Sequence, residues 1–180
     1  MKEIIIHGRG GQGAVTAAEI LAIAAFHDGR KSQAFPSFGV ERRGAPVEAF
    51  LRIDDRKILL RSGVESPDYV LVLDSTLINS LDVTKGLKKG GVIIINTKKE
   101  KKLDGFRTYC IDASSIAMEI FKRDIVNTAM AGAFSFFTKE VSKDAVLKAV
   151  EEAFEGKGEL IEKNKLAVSR VWEKLNEKGK

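Results

Sequence analysis

The residues best suited to chemistry in this 180-residue chain stand at its start, in His7-Gly8-Arg9-Gly10-Gly11-Gln12-Gly13. Gly8, Gly10 and Gly13 meet the spacing G-x-G-x-x-G, with Gly11 and Gln12 between them, after an apolar run and before a helical pattern. A bend without side chains at the positive end of a helix dipole lets backbone N–H groups face an anion. The same glycines also serve a tight strand-to-helix turn. A second candidate lies in Phe35 to Pro46, which includes Ser37 and where Arg42 and Arg43 precede Gly44 and Glu41 stands beside them. Paired guanidinium groups offer a bidentate fork to phosphate or carboxylate, and Glu41 could hold one of them; a solvated surface turn fits the composition equally.

Stepping outward, Ile4 to Ile6 reads as a strand and about Ala14 to Asp28 as a small-sided helix ended by Gly29. Lys31 to Phe35 reads as a strand completing a βαβ half-unit. A dinucleotide site would then need an acidic residue about 20 residues after the glycines, but the strand ends Gln33-Ala34-Phe35-Pro36. That absence argues against NAD. Pro46 to Ile53 alternates in period two, and Asp54-Asp55 leads into Arg56 to Arg61, so a hairpin is expected and with it a mixed sheet. Tyr69 to Asp74, Val92 to Asn96 and Arg107 to Ile111 read as further strands. Helices are expected over Leu77 to Leu87, Ser114 to Arg123, from Asn127, from Ser142, and over Glu159 to Lys178. The fold class is α/β: a three-layer Rossmann-like fold, with a mostly parallel, mixed sheet between helices, as one domain over 1–180.

Asp74, at the carboxyl end of an apolar strand, is either a site residue or a helix cap. Asn127 is likewise a cap or a ligand contact. It opens a helix apolar and small nearly all round, which must be buried near the glycine loop or in a subunit interface. His7 and His27 have no orienting partner nearby in sequence and read as core or surface residues. No catalytic residue is singled out.

The 30 basic and 25 acidic residues are well mixed, giving a formal charge of +5; this favours anionic ligands without the stripe that nucleic acid requires. No apolar run nears the roughly 18 residues of a membrane span, and the chain opens on a strand, so a cytoplasmic protein is expected. Cys110, the one cysteine, can supply neither a disulfide nor an iron–sulfur centre, and no metal ligand set is evident.

Together, the glycine loop before an alanine-rich helix, Phe35 to Pro46, Arg61-Ser62 to Pro67-Asp68, and Asn127-Thr128 to Gly132-Ala133 resemble the gamma subunit of 2-oxoacid:ferredoxin oxidoreductases. Glu-Arg-Arg-Gly-Ala-Pro is more similar to the pyruvate and 2-oxoisovalerate types than to the 2-oxoglutarate type. The resemblance implies oxidative decarboxylation of a 2-oxoacid, with coenzyme A as co-substrate, to acyl-CoA and carbon dioxide, electrons passing to ferredoxin. It implies alpha, beta and ferredoxin-like delta subunits as partners. Thiamine diphosphate, Mg2+ and iron–sulfur clusters would sit on those partners, none on this chain, which alone would be inactive. Cofactor-binding candidates are Gly8, Gly10, Gly11, Gln12, Gly13, Ser37, Glu41, Arg42, Arg43, Gly44 and Asn127. An NAD(P)-binding Rossmann oxidoreductase and a non-catalytic interaction module are the competing readings.

Overall fold

The computed structural model describes residues 1–37 and 43–178. Six strands form one mixed sheet: β1 (Lys2–Arg9), β2 (Lys31–Pro36), β3 (Pro46–Asp54), β4 (Tyr69–Val72), β5 (Val92–Asn96) and β6 (Arg107–Ile111), in the order β2-β3-β1-β4-β5-β6. β1, β4, β5 and β6 run parallel, as expected of strands with unbroken apolar runs. β3 is antiparallel to both its neighbours, pairing Ile5 with Phe50 on one side and Phe35 with Phe50 on the other.

This changes two local expectations. β2 follows α1 (Ala14–His27) but does not lie beside β1, because β3 takes the place between them. The expected hairpin from β3 into Arg56 to Arg61 does not form, since both edges of β3 are already engaged by β1 and β2. The mixed sheet is as expected; the second antiparallel partner is β2.

Five helices, α1, α2 (Ala113–Phe121), α3 (Asn127–Thr138), α4 (Lys143–Ala153) and α5 (Gly158–Lys178), pack on one face of the sheet. Ile4 and Ile6 of β1, Leu51 of β3 and Ile94 of β5 meet them there. The opposite face, carrying Ile5, Phe50, Val70, Val72, Ile93 and Ile95, is covered by Val64, Val83, Leu87, Leu103 and Phe106 from connecting segments. The outer layer on that side is thus a short 3-10 helix, Ser75–Asn79, and loops. Leu77 to Leu87 does not form the expected helix. Asp82 accepts from the Thr84 N–H at 3.0 Å and closes a local turn, and Gly86 takes a positive φ of 75° against the Glu65 carbonyl, so Leu77 is buried from the 3-10 helix while Val83 and Leu87 reach the core from turns.

α3 is buried from Asn127 to Ser135, but within its own chain. It lies against α1, α4 and α5, and a Cβ at Gly132 would sit 3.3 Å from the Val168 Cα of α5. Its small residues serve close helix packing here, so the subunit-interface reading of this helix is corrected. No helix among the described residues is long and apolar enough to cross a membrane.

Candidate anion site at the glycine loop

The carboxyl ends of β1, β2, β4, β5 and β6 and the start of β3 share one edge of the sheet. From β1 the chain leaves toward α1 on the helical face; from β4 it leaves into the 3-10 helix on the loop face. Neighbouring parallel strands whose connections part to opposite faces open a crevice between them, the usual place for a ligand in an open α/β sheet.

The glycine loop lies there. Gly11 and Gly13 adopt φ of 94° and 78°, where a side chain is strained. Gly8 has ordinary space requirements in φ but close neighbours: a Cβ would lie 3.3 Å from both Ala14 Cβ and Leu73 Cδ1. The loop is stitched to the second motif. The Gly10 N–H donates to the Ala45 carbonyl at 2.8 Å, the Gly44 N–H donates to the Gly10 carbonyl at 3.0 Å, and Arg43 bridges Gly10. Asn127, at the start of α3, packs its side chain onto Gly13 and accepts the Thr128 N–H at 2.9 Å. It is not the cap of α3, whose capping position is Val126.

The structure therefore joins Gly8 to Gly13, Arg43, Gly44 and Asn127. Ser37 sits on the same edge but farther out, its N–H donating to the Glu48 carbonyl at 2.9 Å. Glu41 and Arg42 lie outside the described residues. Three of the loop's N–H groups are already engaged, Arg9 by Gln12 Oε1 at 2.8 Å, Gly10 by the Ala45 carbonyl and Gln12 by the Arg9 carbonyl at 2.9 Å. The donors that remain for a ligand come from Gly11, Gly13 and the first turn of α1, whose leading N–H groups have no intrahelical acceptors.

Arg9 was not singled out by spacing, yet it ties the edge together. Its Nε donates to Asp74 Oδ2 at 2.9 Å, Nη1 to the Gly44 carbonyl at 3.1 Å and Nη2 to Thr76 Oγ1 at 2.8 Å. Asp74 takes the helix-cap role, accepting the Thr76 N–H at 2.9 Å at the start of the 3-10 helix, and also clamps Arg9. Burial pushes its carboxyl up, but the hydrogen bonds from Thr76 and Arg9 outweigh that and hold it below the usual carboxylate range. The signal for this pair was available: opposite charges at the carboxyl ends of two parallel strands face the same edge.

Two clefts flank the loop. One, of about 240 Å³, is lined by Gln12, Asp74, Asn96, Lys98, Asp112 and Asp124, three carboxylates to one ammonium. Burial pushes the Asp112 carboxyl up, but hydrogen bonds from Ser115 and the nearby Lys174 and Lys98 charges outweigh that and hold it below the usual carboxylate value. Buried Asn96 braces this side, donating to the Leu73 carbonyl and to Ser114, both at 2.9 Å, and accepting the Ala113 N–H at 3.0 Å. The other cleft, of about 250 Å³, is lined by Arg9, Gly10, Gly11, Gly13, Ala14 and Val47. Carboxylates repel an anion from the first, while the start of α1 attracts it to the second.

His7 is buried on the loop face, 5% exposed. Its Nδ1 lies 3.4 Å from Glu48 Oε1 without the alignment of a hydrogen bond and has no partner among the described residues. Burial pushes its pKa down to about 4, so the ring is neutral at pH 7. Between pH 6.5 and 4 the unfolded chain takes up a proton that the folded chain refuses, so stability falls as pH drops through this window. The loss should reach about 3 kcal/mol. Denaturant unfolding of the wild type and His7→Gln at about pH 7 and about pH 4.5 checks this: the acid-induced loss should be smaller in the variant by most of that amount.

Residues 3–173 match the family model for pyruvate ferredoxin/flavodoxin oxidoreductase. The chain is similar to the pyruvate synthase subunit PorC of Methanocaldococcus jannaschii, 55% identical with 99% of each chain covered. It is 49% identical to the pyruvate/ketoisovalerate oxidoreductases common subunit gamma of Thermococcus kodakarensis, with 97% of each covered. The crystal structure of pyruvate oxidoreductase subunit PORC from Thermotoga maritima superposes with a TM-score of 0.82 at 40% identity, over 96% of this chain and 95% of that one. A glycine loop stitched to the arginine turn, in a sheet of this topology and with full-length likeness, has one conclusion: the chain belongs to the pyruvate ferredoxin/flavodoxin oxidoreductase family.

Proposed function

We propose that the chain is the gamma subunit of a pyruvate:ferredoxin oxidoreductase, a pyruvate synthase, in which a 2-oxoacid and coenzyme A yield acyl-CoA and carbon dioxide and electrons pass to ferredoxin. The observation that carries this is the 55% identity to a pyruvate synthase subunit along 99% of both chains. Alpha, beta and ferredoxin-like delta subunits complete the enzyme, in the cytoplasm.

This chain's donor set does not fit the enzyme's resident cofactors. It has one cysteine and no Gly-Asp-Gly sequence, and among the described residues no three His, Cys, Asp or Glu side chains gather to hold a metal. Iron–sulfur clusters, thiamine diphosphate and Mg2+ belong to the partner subunits, where the thiamine supplies carbanion chemistry when bound. What this chain contributes is a place for an anion. Gly11, Gly13 and the start of α1 line the cleft beside Val47, with exposed Arg43 next to the loop. Phosphates of coenzyme A suit these donors. Arg9, neutralised by Asp74, shapes the loop and leaves the ligand charge to Arg43.

The topology disfavours the NAD(P) alternative. With β3 inserted, the end of β2 stands two strand spacings, roughly 10 Å, from β1. A ribose-binding acid there could not reach a nucleotide on the glycine loop, and no acid is present.

Two measurements test the reading. Affinity purification from the native host should bring down the other subunits together with pyruvate- and CoA-dependent dye reduction; a lone, inactive chain would refute it. In the assembled enzyme, Arg43→Ala should raise the apparent KM for CoA about tenfold, the worth of one charge-assisted contact, while the KM for pyruvate holds. An unchanged CoA dependence would remove Arg43 from the site.

A further inference from the structure

The segment Lys57-Ile58-Leu59-Leu60-Arg61 has the composition of a strand but runs without regular structure. Leu59 is 76% exposed and Leu60 47%, the former the most exposed large apolar residue among those described. Both ends are held. The Arg56 N–H donates to Asp54 Oδ1 at 3.0 Å; beyond the segment, the Gly63 carbonyl accepts from Arg52 Nη2 at 2.9 Å and Val64 enters the loop-face core. Anchored ends with an apolar middle in solvent lower the ordering cost of binding. Its neighbour in sequence, β3, cannot pair with it, being engaged on both sides.

We propose that Lys57–Arg61 is an acceptor segment that completes a strand pair with another subunit of the enzyme. Its occupant is an extended stretch with an apolar centre flanked by carboxylates. Charge favours this occupant over the leucine-centred pairing of two copies of the chain. An antiparallel self-pair centred on Leu59 would set Lys57 opposite Arg61, and like charges directly opposite are destabilising. A partner carrying Asp or Glu at those places reverses the sign, and main-chain pairing with apolar contacts at Leu59 and Leu60 supplies the affinity. The segment follows the carboxyl end of β3, at the sheet edge opposite the glycine loop, so docking there leaves the anion site open.

The inference rests on the multi-subunit reading, and its test separates the two. The wild type, Leu59→Asp and the double variant Lys57→Glu/Arg61→Glu are each co-expressed with the other subunits. Subunit content is read by native mass spectrometry, and amide exchange over 57–61 is compared in the free chain and the assembly. Assembly should slow exchange in this segment about tenfold or more. Each variant should weaken association at least tenfold, while its thermal midpoint as a free chain stays within about 2 °C, as for exposed positions generally. Assembled enzyme with unprotected 57–61, or a Leu59→Asp chain that assembles normally, overturns the acceptor segment alone. Protection that grows with the concentration of the free chain assigns it to self-association and overturns it too. A wild type that captures no other subunit removes both readings.

Discussion

Arg52→Ala should lower the unfolding free energy by about 3–5 kcal/mol, the cost of breaking a buried ion pair from one side. Arg52 is 1% exposed in the middle of β3, on the face covered by loops. Its Nε donates to Glu3 Oε1 at 2.9 Å, Nη1 to Gln33 Oε1 at 3.3 Å and Nη2 to the Gly63 carbonyl, with the Phe35 ring 5.4 Å away. One guanidinium thus joins β1, β2 and the segment returning from β3. Alanine would leave the largely buried Glu3 carboxylate unpaired and release that segment. Arg52→Lys keeps the charge but loses the fork, and should recover only part of the loss. Arg52→Met combined with Glu3→Gln should cost far less than Arg52→Ala, because no buried charge is left alone. Urea or guanidinium unfolding of these chains measures each difference; near-equal stability of wild type and Arg52→Ala would refute the role.

Gly13→Ala should cost about 2–3 kcal/mol and loosen the site. Part is backbone: φ is 78°, worth roughly 1 kcal/mol against an L side chain. The rest is contact, since the new Cβ would lie 2.5 Å from Asn127 Nδ2, with Cγ and Cβ of the same side chain at 3.1 and 3.3 Å. Buried Asn127 cannot simply swing aside. The start of α3 would have to move off the loop, so in the assembled enzyme the KM for CoA should rise as well. Combining it with Asn127→Gly should remove the contact part and leave the backbone part, a clear departure from additivity. Strict additivity would show that Asn127 does not press on the loop.

Much of this was legible from residue order. Ile93 to Ile95 and Tyr69 to Val72 are apolar throughout because parallel strands covered on both faces have no polar side. Ser142 marks its helix through a local hydrogen bond, accepting the Ala145 N–H at 3.1 Å. Residue order misleads where the partner is distant in sequence. Arg56 to Arg61 has a strand's pattern, but β2 had already taken the edge it needed, and no local signal reports that competition. Leu77 to Leu87 has apolar residues near helical spacing, but the Asp82 turn and Gly86 divide it. At the site, the glycines announced the bend. That Gly10's N–H serves Ala45 and that Asp74 neutralises Arg9 depend on the meeting of segments 35 to 65 residues apart, which spacing alone cannot disclose.

The place of β3 also governs the order in which the sheet can be made on the ribosome. The first 36 residues carry β1, α1 and β2, yet in the sheet β1 and β2 are separated by a slot one strand wide and do not hydrogen-bond to each other. Nothing zips until residues 46–54 arrive and fill the slot, forming both antiparallel ladders around a single strand. Only after Tyr69–Val72 joins the far side of β1 does the parallel half begin to grow outward toward β6. The first fifth of the chain is therefore a clamp waiting for its wedge, and a nascent chain stalled before residue 46 would present two unpaired strand segments to its surroundings.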